Sequence, residues 1–79
     1  MRSLQALAKL VADKGITVNC VSPGSIDITD GNNPMPEHSF MGRAGTPEEL
    51  ANVVLFVASE EASYVSAQNY IVDGCRKKM

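Results

Sequence analysis

Apolar residues recur along the first part of the chain with the spacing of a helix. Between residues 2 and 14 they fall at intervals of three and four, which places them on one helix face; they are Leu4, Leu7, Ala8 and Val11, with Ala6 and Leu10 widening that face. Gly15 suits the left-handed position that ends helices, and Lys14 is well placed at the negative end of the helix dipole. The pattern predicts an amphipathic helix that stops at Lys14.

Two later stretches have the composition of strands. The run 16–21 is rich in β-branched residues and is closed by Ser22-Pro23-Gly24, so it predicts a buried strand that ends in a sharp turn. The stretch 69–73 predicts a final strand closed by Gly74. The intervening residues 25–45 contain three Gly and two Pro without clear periodicity, apart from a helical turn predicted near 36–41. We expect a long functional or mobile loop there.

A second helix is predicted to begin after Thr46. Thr46 fits the N-cap position, Pro47 the first helical position, and Glu49 the third position of a capping box. The helix is expected to run to about Ala58 and is apolar almost all round, which indicates burial on more than one side. Ser59 is placed to cap a short turn that follows.

The order helix, strand, loop, helix, strand predicts the α/β class. A strand, a crossover helix and a second strand form the unit of a parallel sheet. Strands that are hydrophobic on both faces need further strands and a covering layer. The pattern therefore indicates either part of a larger doubly wound α/β domain or a module that completes its sheet by association.

Composition excludes several classes of protein. The chain has 79 residues, a net charge of -2 and seven scattered Lys and Arg, so no basic face for nucleic acid is expected. The apolar run 53–58 is too short to span a membrane, and the N-terminus lacks the pattern of a signal peptide, so we expect a cytoplasmic protein without membrane contact. Cys20 and Cys75 lack metal-ligand spacing and are interpreted as free thiols.

Three segments in one order carry a family resemblance. They are Val-Asn-Cys-Val-Ser-Pro-Gly at 18–24, Gly-Arg-Ala-Gly-Thr-Pro-Glu-Glu-Leu-Ala at 42–51, and Ser-Glu-Glu-Ala-Ser-Tyr-Val-Ser at 59–66 leading to Ile-Val-Asp-Gly at 71–74. Together they closely resemble the C-terminal third of classical short-chain dehydrogenases/reductases, over residues 4–74. The resemblance implies a Rossmann-like doubly wound parallel sheet with NAD or NADP bound across the strand ends.

The resemblance also implies a cofactor-binding turn. Pro23 and Gly24 would flank the nicotinamide ring, and Ile26 would offer backbone groups to its carboxamide. The family commonly has a Thr at the position of Ile28, whereas here Thr29 comes one residue later. Thr29 is therefore a cofactor-binding candidate only if the loop shifts by one residue; otherwise that contact is absent.

Two residues replace glycines that the family usually has. Ala67 precedes the last strand, and Cys75 stands where the family has a second glycine after Asp-Gly. Each side chain restricts backbone angles that glycine would allow.

The family's phosphate-binding and catalytic motifs are not found in these 79 residues. Neither Tyr64 nor Tyr70 is followed by a Lys four residues later, and alignment of the first helix puts the family's catalytic Lys just upstream of Met1. No catalytic residue or metal ligand is therefore assigned, and His38 is interpreted as solvated. Arg43 is interpreted as one side of a loop salt bridge, and Glu48 and Glu49 as capping residues.

The expected function is that of a segment of a larger enzyme. Residues 1–79 would form one C-terminal segment of an NAD(P)-dependent oxidoreductase acting on an alcohol or carbonyl. The segment would contribute the nicotinamide-side turn, a substrate loop and an oligomer interface, and its partners would be the rest of the subunit or further copies. The alternative is a non-catalytic interaction protein that docks on full-length family members; upstream DNA encoding the missing motifs would distinguish the two.

Overall fold

The computed structural model describes residues 2–77, which form two helices and a two-stranded parallel sheet. The elements are α1 (Arg2–Val11), β1 (Cys20–Pro23), α2 (Pro47–Val57) and β2 (Asn69–Val72), with 3-10 turns at Ala12–Lys14, Pro36–His38 and Glu60–Ala62. Cys20 lies opposite Asn69 and Pro23 lies opposite Val72. The predicted α/β class, element order and parallel pairing are confirmed.

Helix α1 ends at Val11, three residues before the predicted stop at Lys14, and a 3-10 turn covers the remaining residues to Lys14. Its last turn tightens into the 3-10 turn, and Gly15 takes a left-handed conformation with φ of 73° while its N–H donates to the carbonyl of Ala12. Glycine has no Cβ to clash in this conformation, so the chain turns away from the helix at little cost.

Helix α2 begins with the predicted capping box. The Thr46 Oγ1 accepts a hydrogen bond from the Glu49 N–H at 3.1 Å, and Glu49 Oε1 accepts one from the Thr46 N–H at 2.9 Å. Arg43 forms a bidentate ion pair with the Glu49 carboxylate: Nη1 donates to Oε1 and Nη2 donates to Oε2, at 2.8 Å each. The interpretations of Arg43 and Glu49 are confirmed, and the pair ties the end of the 25–45 loop to the start of α2.

Strand β1 occupies residues 20–23 rather than the expected 16–21. The sequence prediction was wrong at both ends because pairing with β2 sets the limits. Before Cys20, the partner residues 65–68 form an irregular connection in which the Val18 N–H donates to Ser66 Oγ and the Ala67 N–H donates to the Val18 carbonyl. After Val21, the pairing continues to Pro23 opposite Val72.

Pro23 is compatible with the strand because alternate residues donate to the same neighbour. The N–H groups of Cys20 and Gly24 donate toward β2, to the carbonyls of Gln68 and Val72 at 2.9 Å each. The amide position of Pro23 therefore faces the other edge, where the missing N–H breaks no bond to β2.

The predicted cap by Ser59 is wrong. Ser59 precedes the 3-10 turn Glu60–Ala62, but its side chain makes no capping bond there. Its hydroxyl instead donates to the carbonyl of Phe56 at 2.6 Å, at the end of α2.

Little of the apolar surface is buried. Within residues 2–77 the buried apolar residues are three alanines, Ala8, Ala44 and Ala62. Larger apolar side chains on both helices, the loop and β2 are exposed, among them Leu10, Ile28, Phe40, Leu55, Phe56 and Ile71. The described residues therefore lack a core of large side chains.

Candidate functional site

The turn at the carboxyl end of β1 is held close to the end of β2. A Cβ built on Gly24 would lie 2.6 Å from Asp73 Cβ and 2.9 Å from Asp73 Cα, well inside van der Waals contact. The sequence suggested that glycine lets a ligand approach at this position. The structure supplies a packing reason as well, because any side chain at Gly24 collides with Asp73.

Ile26, near the start of the 25–45 loop, forms an isolated parallel β-bridge with Gly45 at the end of the loop. The bridge uses the Gly45 N–H, which donates to the Ser25 carbonyl at 2.9 Å, and the Asp27 N–H, which donates to the Gly45 carbonyl at 2.8 Å. Neither bond uses the backbone groups of Ile26. Within residues 2–77 the Ile26 N–H and C=O make no hydrogen bond, so one donor and one acceptor are left for another molecule or chain segment.

Asp27 organises the next part of the loop. Its carboxylate is buried and accepts hydrogen bonds from the hydroxyl and N–H of Thr29 and from the N–H groups of Gly31 and Asn33. The Thr29 hydroxyl, followed by the Thr29 N–H and the two other backbone donors, holds the pKa of Asp27 below its usual value despite burial. This carboxylate keeps residues 27–33 in one folded turn.

The hydrogen bond to Asp27 limits what Thr29 can offer a ligand. Its hydroxyl proton is used, so only the oxygen lone pairs remain to accept a bond. The structure thus brings Pro23, Gly24 and Ile26 into one stretch at the end of β1, whereas the Thr29 hydroxyl is directed to Asp27. Asp27 itself was missed by the sequence reasoning, although Asp side chains commonly accept a hydrogen bond from the backbone N–H two residues on in such turns.

A second group of polar side chains lies beside Gly24. The His38 Nδ1 is 2.7 Å from the Ser25 Oγ, and its Nε2 is 3.5 Å from a carboxylate oxygen of Glu37. His38 is half exposed, so the expectation of a solvated histidine describes only part of its surroundings. No sequence signal indicated the contact with Ser25, because the two residues are separated by the irregular loop.

These side chains line an open cleft, here called the basic cleft, with a volume of about 740 Å³. Its lining residues are Gly24, Ser25, Glu37, His38, Arg76 and Lys77. In the described part of the chain no group of three His, Cys, Asp or Glu side chains is arranged to hold a metal ion. None of the helices there has the length and hydrophobicity that crossing a bilayer requires.

Comparison with known proteins gives one consistent family. A family model described as enoyl-(acyl carrier protein) reductase matches residues 1–75. The 3-oxoacyl-[acyl-carrier-protein] reductase FabG of Chlamydia pneumoniae is 46% identical over 77 residues, which is 89% of this chain and 31% of that protein. The chain therefore spans about a third of the length of this relative.

Solved structures agree in fold. The NADPH-dependent reductase YwfH, involved in bacilysin biosynthesis, superposes with a TM-score of 0.83 at 30% identity, over 99% of this chain and 36% of YwfH. BdcA, solved in complex with NADPH, gives a TM-score of 0.81 at 35% identity, over 94% of this chain and 33% of BdcA. The two-stranded sheet and its helices thus match the C-terminal part of a Rossmann-like fold.

Proposed function

Because this chain belongs to the short-chain dehydrogenase/reductase family, we propose that it is the nicotinamide-side segment of an NAD(P)-dependent oxidoreductase acting on an alcohol or carbonyl. Residues 1–79 form one segment of a Rossmann-like domain. They contribute the turn after β1, the 25–45 loop beside the substrate, and surface that packs against the rest of the subunit or another copy.

The observation that carries the proposal is the free backbone of Ile26. A carboxamide has one carbonyl acceptor and one NH₂ donor, and the Ile26 N–H and C=O supply the complementary pair. Pro23 and Gly24 lie just before it and would flank the ring. Thr29 supports the same group only as an acceptor, since its proton is donated to Asp27.

The bound cofactor supplies the hydride, and this segment orients the ring that carries it. The Ile26 N–H and C=O would hold the carboxamide and thereby help to position the ring beside the substrate. The proton donor belongs to the part of the enzyme that carries the Tyr-x-x-x-Lys pair, which residues 1–79 do not contain. The similarity to YwfH and BdcA supports NADPH as one cofactor of this family.

The cytoplasm is the proposed location. Cys20 and Cys75 are both free thiols, which is typical of proteins in a reducing compartment.

A chimera tests the role of Ile26. Residues 1–75 replace the matching third of the Chlamydia pneumoniae reductase, and NADPH binding is followed by cofactor fluorescence. Ile26→Pro removes the N–H and is expected to weaken binding about tenfold or more, since an unpaired buried partner costs about 1–3 kcal/mol. Ile26→Val keeps the backbone groups and is expected to bind within about twofold of the parent, a difference of only a few tenths of a kcal/mol. Equal binding by a folded Ile26→Pro chimera would overturn the assignment.

A further inference from the structure

The basic cleft is built by hydrogen bonds between three separate segments. An antiparallel bridge joins Ser39 to Arg76: the Phe40 N–H donates to the Cys75 carbonyl at 2.8 Å, and the Lys77 N–H donates to the His38 carbonyl at 3.3 Å. The bridge places the 3-10 turn at 36–38 beside the C-terminal residues.

The third segment that lines the basic cleft is the turn after β1. The Ser25 Oγ to His38 Nδ1 contact of 2.7 Å joins this turn to the bridge. Ser39 on the same bridge is buried, and its hydroxyl donates to the Arg43 carbonyl at 2.8 Å. The cleft therefore rests on fixed backbone and is not a chance gathering of side chains at a chain end.

Two of the side chains that line the cleft, Arg76 and Lys77, are cationic. The Arg76 Nε lies 3.5 Å from Asp73 Oδ2, so this carboxylate offsets part of the Arg76 charge. The Lys77 ammonium lies 5.7 Å from the centre of the Phe40 ring. Glu37, beside His38, is the one acidic residue among those that line the cleft.

These donors fit an anionic oxygen group. Ser25 and His38 share one hydrogen bond, which leaves one further donor between them, either the Ser25 O–H or the His38 Nε2–H. A guanidinium fork, an ammonium and this donor can together bind a carboxylate or a phosphate. The volume lies within the range of small-molecule sites. The cleft begins at Gly24, so a group bound there lies next to the proposed nicotinamide position.

We propose that the basic cleft binds a carboxylate or phosphate group of the substrate and thereby selects anionic carbonyl compounds. The claim that the bound anion belongs to the substrate rests on the proposed function. Binding of an anion by the cleft, by contrast, needs no cofactor. Failure of anion binding can therefore be told apart from failure of the cofactor assignment.

The experiment uses a chimera in which residues 1–79 replace the matching third of the Chlamydia pneumoniae reductase, so that the segment is held in a whole subunit and Arg76 and Lys77 are present. The ring protons of His38, identified by their loss in His38→Gln, are followed by NMR while inorganic phosphate is added. A saturating shift is expected. The double variant Arg76→Gln/Lys77→Gln should bind phosphate at least about tenfold more weakly, as expected for the loss of two charge-assisted contacts. The matched variant Lys9→Gln/Lys14→Gln changes the net charge equally in α1 and the 3-10 turn after it, outside the cleft lining, and should bind within about twofold of the parent.

Two further arms complete the test. Ser25→Ala keeps all charges and is expected to bind several-fold more weakly, and circular dichroism checks that each variant retains the fold. Acetoacetate and phosphate are compared to decide which anion the cleft prefers, and the neutral ester methyl acetoacetate should not bind. A shift that does not saturate, an equal loss in both double variants, or equal binding of the neutral ester would overturn the proposal.

Discussion

At the residue scale, four non-glycine residues within residues 2–77 have a positive φ, and Ala67 and Cys75 are two of them. Ala67 has φ of 61° and Cys75 has φ of 63°. These are the positions at which the family usually has glycine, so the backbone restriction expected from the sequence is confirmed. A side chain in the left-handed region costs roughly 1–2 kcal/mol.

Ala67→Gly is expected to stabilise the fold. The strain removed, roughly 1–2 kcal/mol, exceeds the roughly 0.4–1 kcal/mol of additional chain entropy that glycine gives the unfolded state, which leaves a gain of about 0.5–1 kcal/mol. Urea unfolding of the chimera measures the difference. The control Ala51→Gly makes the same change inside α2 and should cost about 1 kcal/mol. Destabilisation by both substitutions would contradict the account of Ala67.

At the element scale, the start of α2 depends on one carboxylate. The two-pronged hydrogen bond from Arg43, together with the Thr46 N–H, lowers the pKa of Glu49 from its usual value of 4.5 to about 2. The folded state therefore favours the ionised form. Its contribution to stability is complete above pH 4.5 and is lost as the pH falls toward 2.

Glu49→Gln tests this contribution. The difference in Tm between the parent and Glu49→Gln should be largest above pH 4.5 and should shrink as the pH approaches 2. Glu48→Gln is the control, because Glu48 forms no ion pair in the part of the chain that the structure describes. A Tm difference for Glu49→Gln that stays constant over this range would show that the ion pair with Arg43 does not support the helix start.

Elements set by local chemistry could be predicted from the sequence, and those set by distant pairing could not. The capping box at Thr46 and the left-handed stop at Gly15 involve residues a few positions apart, so their signals are complete within a short window. The limits of β1 depend on its pairing with residues 65–72, and the sequence alone does not show which residues pair. The contact between Ser25 and His38 likewise requires the path of the loop in space.

The candidate site shows the same division. The position of Pro23, Gly24 and Ile26 followed from a family resemblance, whereas the free N–H and C=O of Ile26 became visible only with the Gly45 bridge. For Gly24, the close approach of Asp73 was not foreseeable, because it depends on the register between the two strands.

At the scale of the whole molecule, the chain exposes more surface than a closed domain of its size. Its accessible surface is 5923 Å², whereas a compact monomer of 8.4 kDa is expected to expose roughly 4,600 Å². Its radius of gyration is 14.8 Å, against about 11.6 Å for a compact domain of this length. The excess, about 1,300 Å², is larger than one partner's share of a standard interface, about 800 Å².

The isolated chain is therefore expected to self-associate or to be partly molten. β1 has β2 on one side and, within the described residues, no strand on the other, so its free edge can pair with another chain. Exposed apolar residues on α2, including Val54, Leu55 and Phe56, add to this tendency. Sedimentation velocity and thermal melting measure it. A compact monomer at micromolar concentration with a cooperative melt would show that these residues close a domain of their own.

NADPH-dependent turnover by the chimera with the Chlamydia pneumoniae reductase tests the central claim most directly. The host supplies the phosphate-binding and catalytic motifs, and residues 1–75 supply the nicotinamide-side turn and the loop. The account predicts that the chimera oxidises NADPH with the host's 3-oxoacyl substrate, while the isolated 79-residue chain shows no turnover above a heat-treated control. A folded chimera that binds NADPH but shows no turnover, or turnover by the isolated chain, would contradict it.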